Sequence, residues 1–174
     1  MKERFKKIVE ENITREGIDI LMAYLEGTDF YTAPCSSKYH LCREGGLLEH
    51  SLNVYDTLKK LNTDYNLGFD EESMAICGLF HDICKTNFYV YDSWHEKYNI
   101  INTFPVGHGE KSVIILQDFI RLNNDEICAI RWHMGQYDNA AKGGDFDIGQ
   151  AEKMYKLVGA LHLADMISTK LLED

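Results

Sequence analysis

A chain of 174 residues with 45% hydrophobic and 26% charged side chains is sized for one domain with a real core. Its formal net charge of −10 argues against a protein that grips long nucleic acid over its whole surface, and no apolar run approaches a membrane span. Five cysteines, at 35, 42, 77, 84 and 128, are odd in number and contain no CxxC pair, so free, mostly buried thiols are expected. The N-terminus, MKERFKKIVEENI, is charged and amphipathic and lacks the apolar core of a signal peptide, so a cytoplasmic location is expected.

In chain order, residues 3–12 read as a short amphipathic helix with Phe5, Ile8 and Val9 on one stripe. Thr14 to Gly17 break it, and a second helix runs from Ile18 to Leu25. The segment FYTAPCSSKYHLCREGG carries Pro, Ser and Gly and reads as a loop. GLLEHSLNVYDTLKKL then places Leu47, Leu48, Leu52, Tyr55, Leu58 and Leu61 at helical spacing. After a turn from Asn62 to Asp70, acids at 70–72 mark a helix start before an uncharged apolar run to His81-Asp82. Residues 88–105 are aromatic and β-branched around Asp92-Ser93, and read as a hairpin or a long lid-like loop. A helix from about Gly109 to Leu122 follows, then a short one, Glu126 to Met134, capped by Asp125. Residues 135–149 hold four glycines and read as a loop, and AEKMYKLVGALHLADMISTKLL reads as one long final helix. With two prolines, no repeat and at most one hairpin, the expected class is an all-α helical bundle. The expected organisation is a single domain over 1–174.

The chemistry lies in residues that do not suit their surroundings. His50 sits between Leu48 and Leu52, His81-Asp82 ends an uncharged run, and Asp165 lies in GALHLADMIS. A carboxylate in an apolar helix needs a charge partner. His108 opens a helix after PVG, and His133 ends EICAIRWHM. A lone histidine on an apolar face is more often a core residue than a ligand. Here, however, four helices each bring one or two such groups, which is how metal sites are built inside bundles.

The ordered set His50, His81-Asp82, Asp165, with EGGLLEHSLNV, HDICKTNF, PVGHGEKSV, IRWHMG and LHLADMIST around the ligand positions, resembles the HD superfamily of metal-dependent phosphohydrolases. The resemblance implies the helical fold and phosphohydrolase activity, with N-terminal helices in 1–37 before a metal-binding core in 38–172, and with His108 and His133 as the extra ligands of two-metal members. His50, His81, Asp82, His108, His133 and Asp165 would then hold two divalent ions bridged by Asp82. Iron, manganese, zinc, nickel, cobalt and magnesium all remain open. Cys84 stands where the signature has glycine; on a helix it would point away from the ligands and affect packing.

Asp82 and Lys85 are the expected catalytic residues, Lys85 as a phosphate clamp on the same helix face. Lys85, Lys111, Arg43 and His40 are the expected substrate contacts, with Lys142 as a further source of a clamp. His162 either supports a ligand from behind or is an ordinary core histidine, and His95 is expected to be exposed. The expected activity is hydrolysis of a nucleotide or small phosphate ester by a metal-activated water. No long nucleic acid and no membrane are expected as partners; oligomeric state stays open. The competing readings are a 3′-5′ exonuclease on short oligonucleotides, a non-catalytic nucleotide-sensing domain, and, less favoured, di-iron oxygenase chemistry on a similar ligand set.

Overall fold

The computed structural model describes residues 1–173, and the fold is all-α with one small hairpin. Helices α1 (Lys2–Asn12) and α2 (Ile18–Glu26) lead to α3 (Gly46–Asp64), which packs between α4 (Glu71–Phe80) and α9 (Lys156–Ile167). Between them come β1 (Tyr89–Asp92), β2 (Lys97–Ile100), α5 (His108–Gln117), α6 (Asn124–Trp132), α7 (Asn139–Lys142) and α8 (Asp147–Met154). One cluster of buried side chains runs from Phe5 through Leu47, Ile76 and Ile130 to Ala164, so α1 shares the core of the later helices.

The central pair sets the frame. Residues 74–80 of α4 are buried on every side, which is why that segment is apolar throughout rather than striped. Asp70 caps the helix, its side chain accepting from the Ser73 N–H at 3.0 Å. Gly78 lets α3 come close: a Cβ there would fall 2.7 Å from the Tyr55 Cα. A larger residue would push the end of α4, and His81-Asp82 with it, away from α3.

The N-termini of α4 and α6 are tied by a buried ionic knot. Glu126, fully buried, accepts from Arg15 at 2.6 Å and from the Ser73 hydroxyl at 2.8 Å, and Arg15 also donates to Glu72 at 3.0 Å. Arg15→Ala would strand Glu126 without its cation, so we expect a loss of about 3 kcal/mol in unfolding free energy. Denaturant titration of the variant checks this.

Several boundaries differ from the sequence expectation. The cap of α6 is Asn123, not Asp125: Asn123 accepts from the Glu126 N–H while Glu126 reaches back to the Asn123 N–H, a complete capping box. Helix α5 stops at Gln117, where a turn carries the chain to Ile120. Residues 135–149 are not all loop, since a 3-10 turn, Gly135–Tyr137, and α7 form within them and α8 starts at Asp147. The expected last helix is two: Tyr155 is extended (φ −130°, ψ 103°) and separates α8 from α9. No glycine or proline marks that break. It lays Leu157, Val158, Leu161 and Ala164 into the core, so tertiary packing overrides local propensity. Beyond α9, Ser168–Leu172 form a π turn in which Ser168 donates back to the Ala164 carbonyl at 2.8 Å.

Residues 89–100 do form a hairpin, with Tyr89 opposite Ile100 and Asp92 opposite Lys97. The turn is held by Asp92, which accepts from the Trp94 and His95 N–H groups at 3.0 and 3.3 Å. His95 is exposed and pairs with Asp92 at 2.7 Å.

Candidate metal centre

Helix α4 ends at Phe80, and the chain turns at Asp82 (φ −107°, ψ 20°) into a 3-10 segment, Ile83–Lys85. That turn directs two neighbouring side chains, His81 and Asp82, into the space between α3, α6 and α9. There His50 Nε2 lies 3.2 Å from His81 Nε2, 3.4 Å from Asp165 Oδ1 and 3.6 Å from Asp82 Oδ2. His133 Nε2 is 3.5 Å from Asp82 Oδ1. Ligand atoms of His81, His133 and Asp165 also lie within 4.8 Å of one another.

The hydrogen bonds behind the rings fix which nitrogen faces inward. His81 donates from Nδ1 to the Gly78 carbonyl at 3.1 Å, and His133 from Nδ1 to the Ile130 carbonyl at 2.7 Å. His50 donates from Nδ1 to the Glu173 carboxylate at 3.0 Å. Each ring therefore presents an Nε2 lone pair to the same space as two carboxylates. Asp82 Oδ1 and His133 Nε2 are buried and find no hydrogen-bond partner. Lone pairs and carboxylate oxygens this close repel unless a proton or a cation stands between them, so these residues fit a divalent ion with nitrogen and oxygen donors.

The local electrostatics follow from burial and these neighbours. Burial holds His81 down to about 4, so its ring stays neutral. Burial alone would raise the Asp82 carboxyl, but the Lys85 ammonium beside it holds it well below the usual range. Burial opposes the Lys85 ammonium too, but Asp82 outweighs it and holds Lys85 well above its ordinary value. The two groups are 2.6 Å apart.

His108, at the start of α5, joins Asp82 through a second group. Ligand atoms of Asp82, Cys84 and His108 lie within 4.8 Å of one another, and Cys84 Sγ is 3.3 Å from His108 Nδ1. This corrects the sequence expectation for Cys84. Because the chain is not α-helical after Phe80, Cys84 turns toward His108 instead of away from the ligands. Burial pushes its thiol up to about 12.

The expected substrate contacts are divided. His40 lies beside the cluster, its ring centroid 5.3 Å from that of His50 and its Nε2 3.2 Å from Cys35 Sγ. Lys111 lies over the Phe88 ring at 5.0 Å from its centroid, under the hairpin. Arg43 points out and pairs with Glu49 at 2.6 Å, near Tyr91 and Tyr98 of the hairpin rather than the cluster. His162 does not reach the cluster. It donates to the His133 carbonyl at 2.7 Å and packs where a Cβ on Gly135 (φ +53°) would stand, so it steadies the His133 turn.

Two residues escaped the sequence reading. Glu173, near the chain end, is turned inward by the π turn and also accepts from Asn53 at 2.9 Å. Nothing in LLED distinguishes it from a solvated tail. Cys35, in the loop before α3, is fully buried between His40, His50 and Lys85. Burial opposes its thiolate, but the Lys85 ammonium and the neighbouring His50 and His40 rings prevail and bring it down to about 6. Glu173→Gln keeps the shape but weakens the acceptor behind His50, so metal affinity should fall about 10–100-fold. Competition with a chromogenic chelator measures this.

A helical bundle that buries imidazole and carboxylate groups from four segments around one point defines a class of metal-binding helical domains. Residues 47–170 match the HD domain family, and the chain belongs to that family. No curated protein and no solved structure matches the chain. The family falls within the metal-dependent phosphohydrolases, whose members usually bind divalent metals, although some are not catalytic. Among the described residues no helix is long and apolar enough to cross a membrane.

Proposed function

We propose that the chain is a metal-dependent phosphohydrolase acting on a nucleotide or related small phosphate ester, built as one HD domain. The observation that carries this is the convergence of unpartnered Asp82 Oδ1 and His133 Nε2 with His50, His81 and Asp165, and Lys85 beside them. His50, His81, Asp82, His133 and Asp165 would hold one divalent ion, and Asp82 with His108 a second. Bound there, such ions lower the pKa of water toward about 7 and stabilise charge on phosphoryl oxygens.

The chain's own groups do the rest. Asp82 belongs both to the His50 group and to the His108 group, as a bridging carboxylate would. Lys85 stays an ammonium because of Asp82, and its Nζ borders the cavity over the cluster. From there it can donate to a phosphoryl oxygen whose charge grows during reaction. The site is cationic when loaded, inside a chain of net charge −10, which favours small anions over long polyanions.

The test is reconstitution with manganese, iron, cobalt or zinc, elemental analysis, and assay against a panel of phosphate mono- and diesters. We expect about two ions per chain, from the six-ligand set, and turnover of at least one phosphate ester. No metal uptake, or uptake without turnover of any ester, would refute hydrolysis.

A further inference from the structure

Directly above the cluster lies a cavity of about 500 Å³ whose floor is His50, Asp82 and Asp165. A scissile phosphate on that floor would leave most of the space unfilled, whereas pockets of this size hold ligands as large as a nucleotide. The mouth has a different chemistry from the floor. It is lined by Tyr39, Met134, Tyr137, Met166, Lys142 and Lys170, with two lysines and no acid.

The two tyrosines stand at 79% and 55% exposure, large rings left uncovered beside a deep polar site. They are also held in place. Ser36 accepts from the Tyr39 N–H at 2.8 Å and donates to the His40 carbonyl at 3.0 Å. Tyr137 ends the 3-10 turn that begins at Gly135, and the next residue, Asp138, caps α7, accepting from the Ala140 N–H at 2.8 Å. Helix α7 carries Lys142, whose Nζ stands 5.9 Å from the Tyr137 ring centroid. Arg131 fixes Asp138 from behind at 3.1 Å. A cation and an aromatic face are thus presented together at one edge of the mouth.

We propose that this mouth selects nucleotides carrying a further phosphate beyond the scissile one, with the base on Tyr137 and Tyr39 and that phosphate on Lys142 and Lys170. The proposal rests on the phosphohydrolase reading for what happens on the floor, but not for what binds above it. Any base has a π face to offer a tyrosine, so stacking gives affinity for nucleotides over base-free phosphates with little choice among bases. Lysines at a solvent-facing rim add affinity that salt screens.

The test compares the four common ribonucleoside 5′-mono- and diphosphates with ribose 5-phosphate, which lacks a base. With metal-loaded protein, at least one monophosphate should exceed ribose 5-phosphate about tenfold in kcat/KM, mostly through KM. Its diphosphate should gain a further several-fold at low ionic strength, a margin that shrinks as salt rises. Tyr137→Ala should cut the preference for nucleotide over ribose 5-phosphate about tenfold, and Lys142→Ala with Lys170→Ala should erase the diphosphate margin. Equal kcat/KM for ribose 5-phosphate and every nucleotide, or variants that lower all substrates in proportion, would overturn the assignment. If none of the compounds is turned over, calorimetric affinities decide. The same order, lost in the same variants, upholds the mouth while hydrolysis falls; equal affinities overturn it.

Discussion

Asp82→Ala should lower hydrolysis of the preferred ester roughly a thousandfold, at the upper end for loss of one preorganised electrostatic group, and lower bound metal while leaving helical circular dichroism largely intact. The reason lies in how many partners meet at this carboxylate. Asp82 is within 3.6 Å of both His50 and His81 through Oδ2, and 3.5 Å from His133 through Oδ1. It also shares a ligand group with His108. His81→Ala should act in the same direction, because its Nε2 is shared between His50 and Asp82. Elemental analysis beside steady-state assays checks both variants. An Asp82→Ala protein that keeps its activity would contradict the bridging role, and one that unfolds outright would make the cluster structural.

Lys85→Ala should keep its metals and its fold but lose about a hundredfold in turnover, as when one electrostatic donor is removed from a site. Held as an ammonium, Lys85 has no lone pair to offer a metal, and it lines the cavity 2.6 Å from Asp82 Oδ2. Its contribution grows as charge develops on a phosphoryl oxygen, so kcat should fall far more than affinity for a non-hydrolysable analogue. A domain that only senses nucleotides would lose binding instead and have no turnover to lose. A variant with the wild-type rate would reduce Lys85 to the structural partner of Asp82.

Much of this was legible in the sequence, for identifiable reasons. Helices α3 and α4 announce themselves because apolar spacing and acids at the helix start are local signals. The ordered histidines and aspartates stand out because all but His108 sit in or at the end of an apolar run. What stayed hidden depends on contacts distant in sequence or on small departures from α geometry. Cys84 faces His108 only because the chain leaves the α-helix after Phe80. Glu173 reaches His50 across 123 residues, by way of a π turn that no residue in STKLL foretells. Arg43, in the loop before α3, is drawn outward by Glu49, a pairing that charge alone did not distinguish from a role at the site. The split at Tyr155 is imposed by packing of α9, not by a breaker in the sequence.

The inward-facing lone pairs have a thermodynamic consequence. The Nδ1 donors of His81 and His133 are spent on carbonyls three residues back, at helix ends where such acceptors have no intrahelical partner. The folded backbone therefore dictates the tautomer, and it gathers unpaired electron density before any cation arrives. Only the native state gathers these groups, since the unfolded chain disperses them into water. An ion that binds only the folded form relieves the strain and shifts the folding equilibrium by RT ln(1 + [L]/Kd). Folding and loading would then be linked equilibria, with the folded form gaining stability as the supply of metal rises.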